Sequence, residues 1–141
     1  MSSGDGHEPS ATWMRWLPWA GRVVSLWPVY VLLSSASWKL TGQPWYVAEW
    51  GRIGYPEGFL TGIALVQLAS LVLYLIPQTA VLGAVLLTGY LGGAIASYVR
   101  IGEPDPVLVP LSTSLIAWLG LYLREPRLWS LLPIRRRVRR A

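Results

Sequence analysis

The chain has no cysteine and one histidine. Without cysteine there is no disulfide, no thiolate metal site and no dithiol relay, although the redox compartment stays open. The histidine, His7, sits among small polar residues at the start, MSSGDGHEPSAT. That position excludes a histidine-held metal or haem in the apolar part of the chain, and it leaves the serines without the base of a hydrolase triad. Charge is scarce as well: 13% of the residues carry it, where a soluble domain averages about 25%. Across residues 58–99, between Glu57 and Arg100, charge is missing altogether. With no glycine-rich phosphate loop and no metal-spaced cluster, the residues themselves point to no cofactor and no metal.

What the chain has instead is apolar surface, 53% of its residues. As one helix, residues 58–99 would run roughly 63 Å, far beyond the ~30 Å hydrocarbon core of a bilayer. Ile76-Pro77-Gln78-Thr79 interrupts the run in its middle, because proline removes a backbone donor and disfavours helix at the residue before it. The run therefore reads as two spans, about 58–76 and 80–99, joined by a tight hairpin. A first span over about 19–39 contains Arg22, which must snorkel outward, and Pro28, which should kink it. Lys39 closes that span at the far interface. A fourth span covers about 107–124.

Trp13, Trp16 and Trp19, three apart, fall on one helix face suited to headgroup depth. Residues 45–57, WYVAEWGRIGYPE, put Tyr46, Trp50 and Ile53 on one stripe with Glu49 beside Arg52, the pattern of a short helix lying on the membrane surface or tucked over the bundle mouth. The predicted fold is all-α: an integral membrane four-helix up-and-down bundle with this interfacial segment between helices 1 and 2. Residues 1–16 read as a polar disordered tail and interfacial start, lacking the order of a cleaved signal peptide. Residues 17–126 form the four-span domain and 127–141 an amphipathic basic tail.

The net charge is +5, and the basic residues are unevenly placed. Nine fall on the side of the termini: Arg15, Arg22, Arg124, Arg127, Arg135, Arg136, Arg137, Arg139 and Arg140. Lys39, Arg52 and Arg100 fall on the other side. By the positive-inside rule the chain is a multi-pass cell-membrane protein with both termini cytoplasmic. Arg135, Arg136, Arg137, Arg139 and Arg140 read as a tether to an anionic inner leaflet, each gaining about 1 kcal/mol there. The basic balance is thus assigned to lipid and not to nucleic acid.

Gln67 is the most central strong hydrogen-bonding group, and in hydrocarbon its amide needs a partner. It serves either as interhelical glue, worth about 0.6–2 kcal/mol, or as a ligand contact. Gly89, Gly93 and Ser97 form a small-xxx-small ridge, read as the tightest helix contact. The alternatives are room left for a flat ligand or a homo-oligomer seam. Lys39, Glu49, Arg52, Glu57, Arg100 and Glu103 gather at the outer mouth, either as a solvating rim or as a pocket where Lys39 or Arg100 binds an anionic or carbonyl group. Gln67, Tyr90, Tyr98, Lys39 and Arg100 form the candidate ligand pocket. No ionisable group is placed centrally in a span, which weighs against ion-coupled transport.

Four segments, in order, resemble the DoxX-like family of small membrane proteins: Ser37-Trp38-Lys39-Leu40-Thr41-Gly42, Gly51-Arg52-Ile53-Gly54-Tyr55-Pro56, Leu73 through Gly83, and Leu86 through Ala94 with Arg100. The resemblance covers about residues 23–125. It implies a four-helix transmembrane bundle and an association with membrane redox or detoxification systems, since some relatives are subunits of a thiosulfate:quinone oxidoreductase. A quinone is the ligand it implies. Many members carry an acidic residue where Gln67 stands and a histidine where Tyr98 stands, so proton chemistry at those positions does not carry over. The expected role is an accessory or ligand-holding subunit of a membrane-associated redox system, acting with a partner subunit and without an evident catalytic constellation. The alternative is a small membrane oxidoreductase acting on a lipid-soluble substrate such as a quinone.

Overall fold

The structure, a computed structural model, describes residues 12–131. Its elements are all helical: α1 Thr12–Leu40, α2 Pro44–Ile53, α3 Phe59–Leu75, α4 Ala80–Arg100, a 3-10 turn Asp105–Val107, α5 Leu108–Arg124 and the short α6 Leu128–Leu131. Among the described residues there is no strand. α1 begins at Thr12, upstream of the span expected over about 19–39, and takes in Trp13, Trp16 and Trp19. His7 and the basic run 135–140 lie outside the described residues.

Three stretches are long and apolar enough to cross a membrane: Arg15–Leu40, Ala80–Arg100 and Asp105–Arg124. α3, with 17 residues, is apolar but shorter. Their outer faces stay apolar, with Leu26, Val72, Leu82 and Leu115 all more than half exposed. A soluble bundle would carry polar residues at those places. The chain is a multi-pass membrane protein.

α1 packs on α5 and α3, and α4 packs on α3 and α5, so the four long helices close a cycle. Leu32, Leu71, Tyr74, Leu87 and Leu121 fill its centre. Two glycine contacts draw the helices closest. At Gly83 on α4 an added Cβ would overlap the backbone of Tyr74 and Leu73 on α3, which is how a hairpin of only Ile76–Thr79 can close. Where α1 crosses α5, a Cβ on Gly21 would lie 2.8 Å from the Gly120 carbonyl oxygen and the Arg124 nitrogen. The ridge of Gly89, Gly93 and Ser97 is therefore not the tightest contact. Nothing lies within 4 Å of a Cβ built on Gly89 or Gly93, and both are exposed; only Ser97 of the ridge is buried. Small residues permit close approach without causing it.

Tyr74, fully buried, ties three helices together: its hydroxyl donates to Ala117 O of α5 at 2.8 Å and meets Ser25 Oγ of α1 at 3.0 Å. Ser25 also donates to Gly21 O at 2.8 Å. Two hydroxyl hydrogens serve three contacts, so only two of the three form at any instant. At the other end, Gly54 closes α2 at φ 89°, a left-handed turn that glycine adopts without strain. Trp50 Nε1 then donates to Pro56 O at 3.1 Å, folding the α2–α3 connection back on itself. After α5, Leu128 is buried and Trp129 Nε1 donates to Tyr122 O at 2.7 Å, so this part of the basic tail packs on the helical body.

Candidate functional site: a buried lysine beneath an aromatic cavity

Lys39 does not sit at an interfacial rim. It is 3% exposed, and its ammonium points into the cycle of helices. The side chain runs back along α1, and its Nζ donates to Ser35 Oγ at 2.7 Å, to Gln67 Oε1 of α3 at 2.8 Å and to Tyr90 OH of α4 at 2.9 Å. Three N–H groups meet three acceptors. The ring of Tyr46 also faces the ammonium, its centroid 5.2 Å away, a cation–π arrangement. Gln67, fully buried, uses its other end too: Nε2 donates to Leu32 O at 2.7 Å, and Oε1 accepts from Tyr90 OH at 2.8 Å. Among the described residues no carboxylate pairs with Lys39. A cation is thus held in the apolar interior by neutral oxygens and the Tyr46 ring alone, and such a charge marks function more often than stability.

Against this network lies a cavity of about 260 Å³. α2 forms one side with Tyr46, Glu49, Trp50 and Ile53, α3 another with Ile63 and Val66, and α4 the third with Tyr90, Gly93, Ala94, Ser97 and Tyr98. Its walls are mainly apolar and aromatic, the usual chemistry of a small-molecule site. Several hydroxyl hydrogens are already committed. Tyr90 gives its hydrogen to Gln67, and Ser97 donates to Gly93 O at 2.8 Å, which leaves Tyr55 as donor to Ser97 at 3.0 Å. Val66, 59% exposed, and Gly93 sit on the outer apolar surface of α3 and α4.

Of the five residues placed in the pocket by sequence, Lys39, Gln67 and Tyr90 share one hydrogen-bond network, and Tyr90 and Tyr98 line the cavity. Arg100 stands apart. It donates to Ile53 O and lies over the Tyr55 ring at 5.6 Å, clamping the end of α2. Tyr46, Trp50 and Tyr55 line the cavity but are not among the residues expected there, while Glu49, expected at the outer mouth, lines it too. The signal was present, since Tyr46, Glu49, Trp50 and Ile53 share one face of α2, a face that also suits lipid contact.

Above the cavity Arg52 bridges two carboxylates, donating to Glu49 at 2.9 Å and to Glu103 beyond α4. Arg52 holds the Glu49 carboxyl below its ordinary range, while burial, reinforced by the Glu49 charge, raises the Tyr46 phenol. For a carboxylate with a depressed folded value, the stabilisation is complete above its unfolded value and is lost as pH falls through the folded one. The seating of α2 should therefore loosen in acid. Hydrogen exchange of the α2 amides, corrected for intrinsic rate, should quicken between pH 7 and pH 3 relative to α4. Equal protection of α2 at both pH values would remove the ion pairs from any role in seating it.

The comparisons with known proteins were of three kinds. The model of the DoxX-like family matches residues 23–120. No curated protein and no solved structure matches the chain. The matched segment contains every residue of the Lys39 network and of the cavity, and the chain belongs to the DoxX-like family.

Proposed function

We propose that the protein is a four-span, up-and-down bundle in the cell membrane, with cytoplasmic termini, whose aromatic cavity holds a lipid-soluble small molecule. The nine-to-three distribution of basic residues supports the orientation. α3 serves as the fourth span: its 17 residues cover about 26 Å, and the uncharged Gly58 and Ile76 extend it. The single observation that carries the ligand reading is the cavity between α2, α3 and α4, apolar on its walls and backed by a cation without a carboxylate partner. Its volume, just under the ~300 Å³ at which drug-sized sites begin, fits a compact ring or headgroup whose tail leaves past Val66 into the bilayer. In the cell the protein works as the ligand-holding subunit of a membrane redox system, and a quinone head is the ligand of this kind that the family resemblance implies. Tyr90 and Tyr98 contact the head. Lys39 and Gln67 fix Tyr90 from behind, and the positive charge of Lys39 favours an oxygen-rich or electron-accepting ring.

Native mass spectrometry of the protein gently extracted from its own membrane tests this reading. Wild type should carry a small molecule of defined mass. Gly93→Leu should carry about a tenth as much or less, because its side chain grows into the cavity while the Cβ meets no neighbour. Gly89→Leu, one turn earlier and outside the cavity, should bind like wild type. Equal retention by all three proteins would overturn the cavity as the site. A retained protein with no small molecule would place the function in the partner.

A further inference from the structure

The opposite end of the bundle carries a second cavity, of about 300 Å³ and different in kind. It is walled by Pro18 and Arg22 of α1, Leu75 and Pro77 at the α3–α4 hairpin, Ala80 of α4, and Leu121, Arg124 and Glu125 at the end of α5. Two arginines meet there because Gly21 and Gly120 let α1 and α5 touch backbone to backbone, one residue from Arg22 and four from Arg124. Arg124 donates to Tyr74 O at 2.5 Å and lies 4.5 Å over the Tyr74 ring, so part of its fork is fixed and the rest of its donors remain. Arg22 makes no hydrogen bond and no ion pair among the described residues; its guanidinium lies 5.1 Å over the Trp19 ring. Glu125, which also faces Arg127 at 3.9 Å, sets one carboxylate against the two guanidinium groups, so the cavity lining stays net cationic.

The start of α4 opens into the same cavity at Ala80. The side chain positioned to cap it, Thr79, instead donates its hydroxyl to Leu73 O at 2.9 Å, and α4 has no side-chain cap. The first backbone N–H groups of a 21-residue helix therefore stand without intrahelical acceptors, at the positive end of its dipole. Trp16 and Trp19, both more than 60% exposed, place this end at headgroup depth.

We infer that this cavity binds a phosphate anion: two guanidinium groups with donors to spare and an uncapped helix start converge on a pocket roomy enough for a phosphodiester headgroup. Arg22 and Arg124 bind the phosphate oxygens, and Leu75 and Ile76, both more than 40% exposed, lie beside it for the acyl chains. The same chemistry takes a free phosphate ion, so the experiment must separate the two sources. The site lies at the other end of the bundle from the aromatic cavity and stands or falls independently of it.

Delipidated full-length protein, equilibrated with equal amounts of phosphatidylglycerol and phosphatidylcholine, is read by native mass spectrometry for bound lipid. In parallel, inorganic phosphate alone is titrated calorimetrically into the delipidated protein in neutral detergent. Phosphatidylglycerol should be retained over phosphatidylcholine, and Arg22→Ala should weaken that retention about tenfold, the loss of one charge-assisted partner. Arg22 is exposed, so Arg22→Ala should melt with wild type. Arg15→Ala, another exposed arginine at this end and no part of the cavity, should retain lipid like wild type. Binding of inorganic phosphate that Arg22→Ala abolishes, with no preference between the lipids, keeps the site and assigns it to the free ion. Equal weakening by Arg15→Ala and Arg22→Ala would reduce the attraction to diffuse surface charge and overturn the site, as would binding of neither probe.

Discussion

Gln67→Leu should destabilise the bundle by about 3 kcal/mol, while Lys39→Met changes stability by less than about 1 kcal/mol or raises it. The asymmetry follows from which group is left behind. Leucine at 67 removes the oxygen that accepts from both Lys39 at 2.8 Å and Tyr90 at 2.8 Å, and the amide that serves Leu32 O. The ammonium then stays buried with one N–H unanswered. Methionine at 39 removes the cation itself, and Gln67 keeps its bonds to Tyr90 and Leu32. The double variant Lys39→Met/Gln67→Leu should therefore recover most of the loss, a coupling of about 2 kcal/mol between residues in direct contact. Reversible unfolding in mixed detergent micelles, with all four proteins compared, measures it. Two mild and additive single effects would mean that the ammonium reaches water in the folded protein.

Gly83→Ala should cost about 3 kcal/mol or more and shift the α3–α4 pair as a unit. The added methyl meets backbone on α3, the amide of Tyr74 and the carbonyl carbon of Leu73, and backbone cannot rotate aside as a side chain can. The hairpin would have to open, carrying Tyr74 away from Ser25 and Ala117. Gly92→Ala on the same helix, where an added Cβ meets nothing within 4 Å, should cost no more than a few tenths of a kcal/mol and can gain helix propensity. Similar unfolding midpoints for Gly83→Ala and Gly92→Ala would show that α3 and α4 are not in backbone contact.

The helical class, the hairpin at Pro77 and the short helix α2 could be read from the sequence because each rests on local pattern: a charge-free run, a proline, a stripe at helical spacing. The pairing of Arg52 with Glu49 is likewise local. What the sequence could not reveal is where long side chains turn. Lys39 at the end of an apolar helix suits an interface equally well. Only the arrival of Gln67 and Tyr90 at the level of Ser35 makes its inward path the better one. The glycines failed for a related reason. Gly89 and Gly93 have the spacing of a packing motif, yet Gly83 and the Gly21–Gly120 pair make the contacts, because rotation about the helix axis decides which glycines face a neighbour.

The partners of Lys39 are spread along the chain in a way that bears on how the protein is made. Ser35 lies on its own helix, but Gln67 and Tyr90 follow 28 and 51 residues later. When α1 first enters the bilayer, its ammonium has one acceptor and must remain with the water beyond the helix end. Its burial is compensated only once α3 and α4 pack beside α1 and bring the amide and the phenol to it. The buried lysine thus ties the packing of α1 to the α3–α4 hairpin: without Gln67 and Tyr90 its ammonium would keep one of its three acceptors, and its burial would no longer be compensated.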